Sequence, residues 1–300
     1  MPSVMIFPIF YMIELVYYTM LPKLSYNPLY LLFSMIRDLY YWGENMDVEN
    51  IQERLIRLLR LRTTPVAVKL LKKKDDIPAG IERPKIRLTV CQMVALSRIH
   101  ERVLAGGMEE IICSYAQSVL GFADWPEDMI SGERRAGARV ENIEASSNLI
   151  GNIPKIGTGS FEAIITAPLA KTPLEPDLVL LFANPAQMTR LIHAATWKTG
   201  ERLSYTTAAE GGTCAEGIAA TYLRNDVNIA FPCYGTRRFG MAADSELIFG
   251  IPTEKIDEIM DGLEKLHAIG STYPIRVELE CTPKPPSLYA IMREKPPKQS

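Results

Sequence analysis

Histidine is scarce in this 300-residue chain, which carries three in all, His100, His193 and His267. None belongs to an H-E-x-x-H pair or stands beside a serine elbow, so zincin-type hydrolysis and Ser/His/Asp catalysis have no foothold. There is no C-x-x-C pair either, the spacing that most structural zinc sites and many ferredoxin-type sites use. The glycines form neither a P-loop nor a G-x-G-x-x-G turn, which removes the standard nucleotide cradles. No basic stripe interleaved with aromatics appears, and the net charge is −2 with both signs interspersed. Nucleic acid is therefore not an expected partner. Nothing resembles a secretory signal with a basic start and a small-residue cleavage site. Five cysteines in a chain of this length do not read as a disulfide framework. A reducing cytoplasm is the expected compartment.

What is present is enough apolar material for a sizeable core, since 47% of residues are hydrophobic and 23% charged. The first 45 residues differ from the rest. They hold seven of the thirteen tyrosines, with Phe7, Phe10, Phe33 and Trp42, and no steady helical or strand period. Val4 to Met20 is apolar except for Glu14, and Pro8 interrupts it, so it sits at the short limit of about 17 residues for a membrane span. Two readings stand: a weak anchor, or an upstream extension with the natural start at Met46. The second is preferred because Met46 opens a clean amphipathic helix. Residues 46–281 are read as the core domain and 282–300 as a Pro/Lys-rich tail.

Within the core, Ile51, Leu55, Leu58 and Leu59 share one face of a helix over Val48–Leu61. Pro65–Leu71 reads as a strand, Lys85–Val90 as a second strand running into Cys91, and Gln92–Leu104 as a helix. Gly106-Gly107 breaks it before Glu110–Cys113. A similar order recurs: a buried strand at Pro176–Phe182, a helix at Pro185–Thr196, strand-like Leu203–Ala208, a glycine turn ending in Cys214, a helix at Ala215–Leu223, and a strand at Val227–Phe231 leading to Cys233. Helices at Pro126–Leu149 and Thr253–Ala268, and strands at Phe161–Thr166 and Pro274–Glu280, extend the parallel. Cys91 to Cys113 is a step of 22 residues and Cys214 to Cys233 a step of 19, which prompts the expectation of an internal duplication. The expected fold is α/β (or α+β), a mixed sheet with flanking helices. It is built of two similar βαβ-containing halves, about 48–158 and 159–281, with a pseudo-two-fold relation to be tested.

In each half the first cysteine falls at a helix start, where free N–H groups and the helix dipole favour a thiolate. The second falls at a strand end. Four thiolates from two such places, Cys91, Cys113, Cys214 and Cys233, are the candidate ligands of an iron–sulfur cluster, with zinc as the alternative. The plainer reading treats each as a small buried hydrophobe. Cys281 has no counterpart in the pattern. Gly211, Gly212 and Thr213 lead into a helix in the manner of an anion cradle, although Thr213 serves equally as an N-cap. Arg237, four residues after Cys233, is the candidate partner for a small anionic molecule. The histidines, all on predicted helices far apart in sequence, are read as surface or core residues.

The stretches Leu61–Lys69, Cys91-Gln92, Cys113 with Leu120-Gly121, Pro176–Val179, Cys214–Gly217 and Cys233–Arg237 occur in an order that resembles a prokaryotic family known as domain of unknown function 169. The resemblance runs from about Ile51 to Cys281. It implies an identity without a reaction. The residues themselves leave three functions open: a redox or metal-cofactor protein working with a redox partner, a non-catalytic binder of a small anion with structural cysteines, and an enzyme with a cysteine nucleophile.

Overall fold

The computed structural model describes residues 47–274. The first-turn logic of the sequence holds at α1 (Val48–Leu59), whose buried residues are Ile51, Leu55, Leu58 and Leu59. The chain then enters β1 (Val66–Leu71), buried along its length except at Lys69, where half-buried Nζ pairs with Asp177 Oδ1 at 2.8 Å. The same carboxylate accepts the Leu70 amide at 2.7 Å. Next come α2 (Val90–His100) and β2 (Leu104–Gly107). Three short helices follow, α3 (Ser114–Val119), α4 (Glu127–Ile130) and α5 (Ile143–Gly151), and then β3 (Ala163–Pro168). The remainder comprises β4 (Leu178–Ala183), α6 (Pro185–Ala195), a π-helix (Gly212–Ala219) running into α7 (Ala220–Arg224), β5 (Asn228–Ala230), α8 (Tyr234–Arg238), β6 (Leu247–Pro252) and α9 (Ile256–Ala268).

The six strands form one sheet in the order β2-β3-β1-β4-β6-β5. Every pairing is antiparallel, including the central one, Val66 opposite Leu180. The expected mixed sheet is therefore replaced by an antiparallel one within an α/β fold. The reason lies in the third strand of each set. β1 and β2 both run antiparallel to β3, so they are parallel to each other yet never touch, and β4 and β5 stand in the same relation to β6. Each is a split β-α-β unit. Outward from the centre the order is β1, β3, β2 on one side and β4, β6, β5 on the other. By pairing, β3 belongs with β1 and β2.

β4 reads Leu-Val-Leu-Leu-Phe-Ala with every residue buried, as expected of a strand covered on both faces. Val66, Val68, Leu70, Leu178, Leu180 and Phe182 join one core with Val90, Met93 and Val94 of α2 and Ile218 of the π-helix. Successive side chains alternate across a strand, and α6, which touches β4 and β6 and packs on α9, takes the other face.

Several local expectations fail for identifiable reasons. Lys85–Val90 is not a strand: Leu88 makes an isolated bridge to Ile111, and Thr89 caps α2 in a reciprocal box with Gln92. Leu104 opens β2 instead of closing a helix, because Glu101 turns left-handed at φ 53 and stops α2. Pro126–Leu149 breaks into α4 and α5, with Gly132 and Gly137 at positive φ between them. Leu203–Ala208 has no regular structure; Thr207 Oγ1 and the Ala208 amide donate to Glu216 at 2.7 and 2.8 Å instead. β6 has no counterpart in the sequence reading, and Gly250 is why it exists in this form. A Cβ there would stand 2.1 Å from Thr221 Oγ1 and 2.8 Å from the Gly217 carbonyl, so the π-helix and α7 lie directly on the strand. The segments 1–45 and 282–300 and the strand at Pro274–Glu280 lie wholly or almost wholly outside the described residues, as does Cys281. Among the described residues no helix is long and apolar enough to cross a membrane.

Candidate functional site

Two of the four candidate cysteines lie in the segment that contributes β1, β2 and β3, and two in the segment that contributes β4, β5 and β6. Cys91 is in the first turn of α2, which follows β1, and Cys214 is in the first turn of the π-helix, which precedes β5. Cys113 comes after β2 as the N-cap of α3, and Cys233 comes after β5 as the N-cap of α8. All four are free thiols; Cys214 is buried and the other three are half-buried.

Thr236, fully buried in α8, links the two sets. Its hydroxyl lies 3.3 Å from Cys233 Sγ, 3.7 Å from Cys91 Sγ and 2.9 Å from Thr213 Oγ1. Cys214 Sγ faces the Gly211 carbonyl at 3.8 Å. The loops are drawn together by a close approach at Gly212. A Cβ at that position would meet the Phe231 carbonyl at 2.3 Å and the Cys233 amide nitrogen at 2.8 Å. Glycine thus lets the chain leading to Cys214 lie against the chain leading to Cys233.

The electrostatics run against the simple helix-dipole expectation. Cys91 keeps some contact with solvent, yet burial of its thiol is the main cause that pushes its pKa up from 9.0 to about 12. The charge of Cys233 adds to that, the hydroxyls of Thr236 and Thr213 oppose it, and Cys113 raises it further. Cys214 is raised well above its ordinary value, first by burial and then by Cys91, Cys113 and Cys233. Burial and like charge therefore outweigh the helix start at both positions. Both of these thiols hold their protons at neutral pH. Among the described residues, no group of three or more His, Cys, Asp or Glu side chains is drawn closely enough together to hold a single metal ion.

The chain matches the family model of uncharacterised ArCR proteins, domain of unknown function 169, over residues 54–262. The chain belongs to this family. It is also 28% identical over 229 residues to an uncharacterised protein of Methanocaldococcus jannaschii, covering 75% of this chain and 98% of the relative. No solved structure shows significant similarity to it. The family match takes in all four cysteines, Thr213 and Thr236, and it stops short of Cys281.

The other sequence-predicted site residues have partners of their own. Thr213 is fully buried, with its hydroxyl on Thr236. Arg237 Nη1 donates to the Ala243 carbonyl at 2.8 Å and lies 3.6 Å from Asp244. Gly211, at φ +67, and Gly212 hold the turn between Glu210 and the π-helix. His100, His193 and His267 are exposed on three different helices, in keeping with the surface reading.

Three residues important to this region escaped the sequence reading. Thr236 follows Cys233 by three positions, a spacing that places both on one turn. Arg98 lies two turns after Cys91 and is almost completely buried. It pairs with Glu246 at 3.3 Å, donates to the Gly240 and Met241 carbonyls at 3.2 and 2.6 Å, and stacks 4.1 Å over the Phe182 ring. It thereby fixes the Cys91 helix against the chain that follows α8. The third is Tyr115, two residues after Cys113 and nearly buried. Burial, with Cys214 and Glu210 nearby, pushes its phenol pKa up.

Proposed function

We propose that this protein is a cytoplasmic redox or metal-cofactor protein in which Cys91, Cys113, Cys214 and Cys233 hold an iron–sulfur cluster. The observation that carries the reading is the Thr236 hydroxyl, 3.7 Å from Cys91 Sγ and 3.3 Å from Cys233 Sγ, which brings two of the four free thiols to one point. The donor set is all thiol, the type iron–sulfur clusters take. A mononuclear zinc ion requires its sulfurs about 4 Å apart, whereas those around a cubane stand roughly 6 to 7 Å apart. Among the described residues no group of three or more His, Cys, Asp or Glu is placed to hold a metal ion, which weighs against a preformed metal site of either kind. Bound there, a cluster would supply one-electron transfer, and its positive iron would offset the burial, and after it the like charge, that raises the pKa of Cys91 and Cys214.

The same reading takes the two strand sets as a duplicated unit, supported by the matching outward strand order and by the cysteine placement in each set. A small anionic molecule at Gly211, Gly212, Thr213 and Arg237 has weaker support, since Thr213 and Arg237 are already partnered. A Cys214 nucleophile is also weaker, because the thiolate is the attacking species and burial opposes it. Single Cys→Ser variants at all four positions, each reconstituted with iron and sulfide without oxygen, test the assignment. The visible absorption of the cluster should fall sharply in every one. Full absorption in any single variant removes that cysteine from the ligand set.

A further inference from the structure

A cleft of about 500 Å³ opens between α2 and two stretches of chain, 82–88 and 239–241. That volume falls in the range of small-molecule sites. Its apolar lining includes Ile86, Leu88, Leu96, Phe239 and Met241, and three of these, Ile86, Met241 and Phe239, are 75%, 61% and 49% exposed. Large apolar side chains left in water together on one concave surface mark a place that receives an apolar body. Neither wall is loose. Arg98 donates to the Gly240 and Met241 carbonyls at 3.2 and 2.6 Å, and a Cβ at Gly240 would stand 3.1 Å from the Cys91 carbonyl, so this wall lies directly on α2. On the other side the Leu88 amide donates to the Glu110 carbonyl at 2.8 Å, and the Leu88 carbonyl accepts the Ile112 amide at 2.9 Å. A cleft held on both sides keeps its shape without a ligand, which lowers the cost of binding one. The charges that line it select the occupant. Arg102 is matched by Glu82 and Arg83 by Glu110, whereas exposed Lys85 has no ion-pair partner among the described residues. Gln92 accepts from the Thr89 amide at 2.8 Å through Oε1, and its Nε2 has no acceptor among the described residues. One unmatched cation and a free amide donor beside an apolar floor suit a single negative charge on an apolar tail.

We propose that this cleft binds a small amphiphilic monoanion, a carboxylate carrying a single apolar chain, with Lys85 and Gln92 at the headgroup and the tail on Leu88, Leu96, Phe239 and Met241. The site does not depend on a cluster at the cysteines. Isothermal titration of the full-length protein with hexanoate, octanoate and decanoate tests it. Affinity should rise roughly two- to fourfold for each added methylene, as burial of the chain requires. Decanol, which lacks the charge, should bind about fivefold more weakly than decanoate. Met241→Asp puts a carboxylate into the cleft at an exposed position whose positive φ Asp tolerates, and it should weaken decanoate binding about tenfold or more. Lys85→Ala should weaken decanoate about fivefold and leave decanol unchanged. Leu223→Asp, exposed and outside the cleft, should bind as wild type does. No decanoate binding, an affinity indifferent to chain length, or wild-type affinity in either cleft variant would overturn the proposal. An equal loss in Leu223→Asp would place the binding elsewhere and overturn it as well. Should a variant not fold, the chain-length series and the decanol comparison decide the matter on wild type alone.

Discussion

Arg98 is the side chain on which the geometry around Cys91 depends most. It is a buried cation with a buried anionic partner, two carbonyls and an aromatic face, and only Nε is left without an acceptor among the described residues. Its pKa is lowered, first by burial, with Glu246 acting in the opposite direction. Breaking such a pair from one side strands the other charge, which costs about 3–5 kcal/mol. Arg98→Ala should lose that much in denaturant unfolding. The double variant Arg98→Met, Glu246→Gln should lose clearly less, since no lone charge stays buried. A loss below about 1 kcal/mol in Arg98→Ala would mean that the pair does not hold the helix. In sequence, Arg98 reads as one more charged residue on a helix; nothing local announces that residues 148 positions apart will enclose it.

At the scale of elements, the π-helix and β6 explain each other. Gly250 is needed because the π-helix and α7 press on the strand at Gly217 and Thr221. Gly250→Ala should destabilise the protein by about 3 kcal/mol through overpacking, and Thr221→Ala in the same chain should recover part of the loss by removing the hydroxyl at 2.1 Å. Thermal unfolding of the two variants checks this, and no recovery would place the strain elsewhere. The elements that were legible in the sequence are those whose period is set by burial on one side or on both: the four-residue stripe of α1, the all-apolar β4 and the helix α9. Those that were not legible are set by distant contacts. β6 looks weak because Gly250 and Pro252 interrupt it, and only the π-helix above it supplies the reason. Likewise Leu88-Thr89-Val90 looks like a strand because of its β-branched residues, but the Thr89–Gln92 box turns it into a helix start. The four cysteines were legible as two similarly spaced pairs. Their link through Thr236 and Thr213 was not, because it joins residues from α2, the π-helix and α8.

At the scale of the whole molecule, two split β-α-β units meet at an antiparallel β1–β4 seam, and each delivers two of the four thiols. The arrangement has a pH signature in the metal-free protein. Cys91 has a folded-state pKa of about 12 against an ordinary 9.0, so the folded state holds its proton more tightly than the unfolded state. That contribution is fully present below about pH 9 and is lost as pH rises towards 12. Cys214, raised in the same direction, adds to the slope. Wild type should therefore lose stability across this window more steeply than Cys91→Ala, as measured by unfolding midpoints at successive pH values. Equal slopes would show that the Cys91 thiol is not held as described. On the iron–sulfur proposal, uptake would displace these protons, so reconstitution should be faster at pH 8 than at pH 6.

The most direct test of the central claim is the iron and acid-labile sulfide content of the full-length protein purified and reconstituted without oxygen. The four-thiol site predicts a brown protein with about four irons and four sulfides per chain, the content of a cubane. A colourless protein that binds neither iron nor sulfide under those conditions would contradict the account.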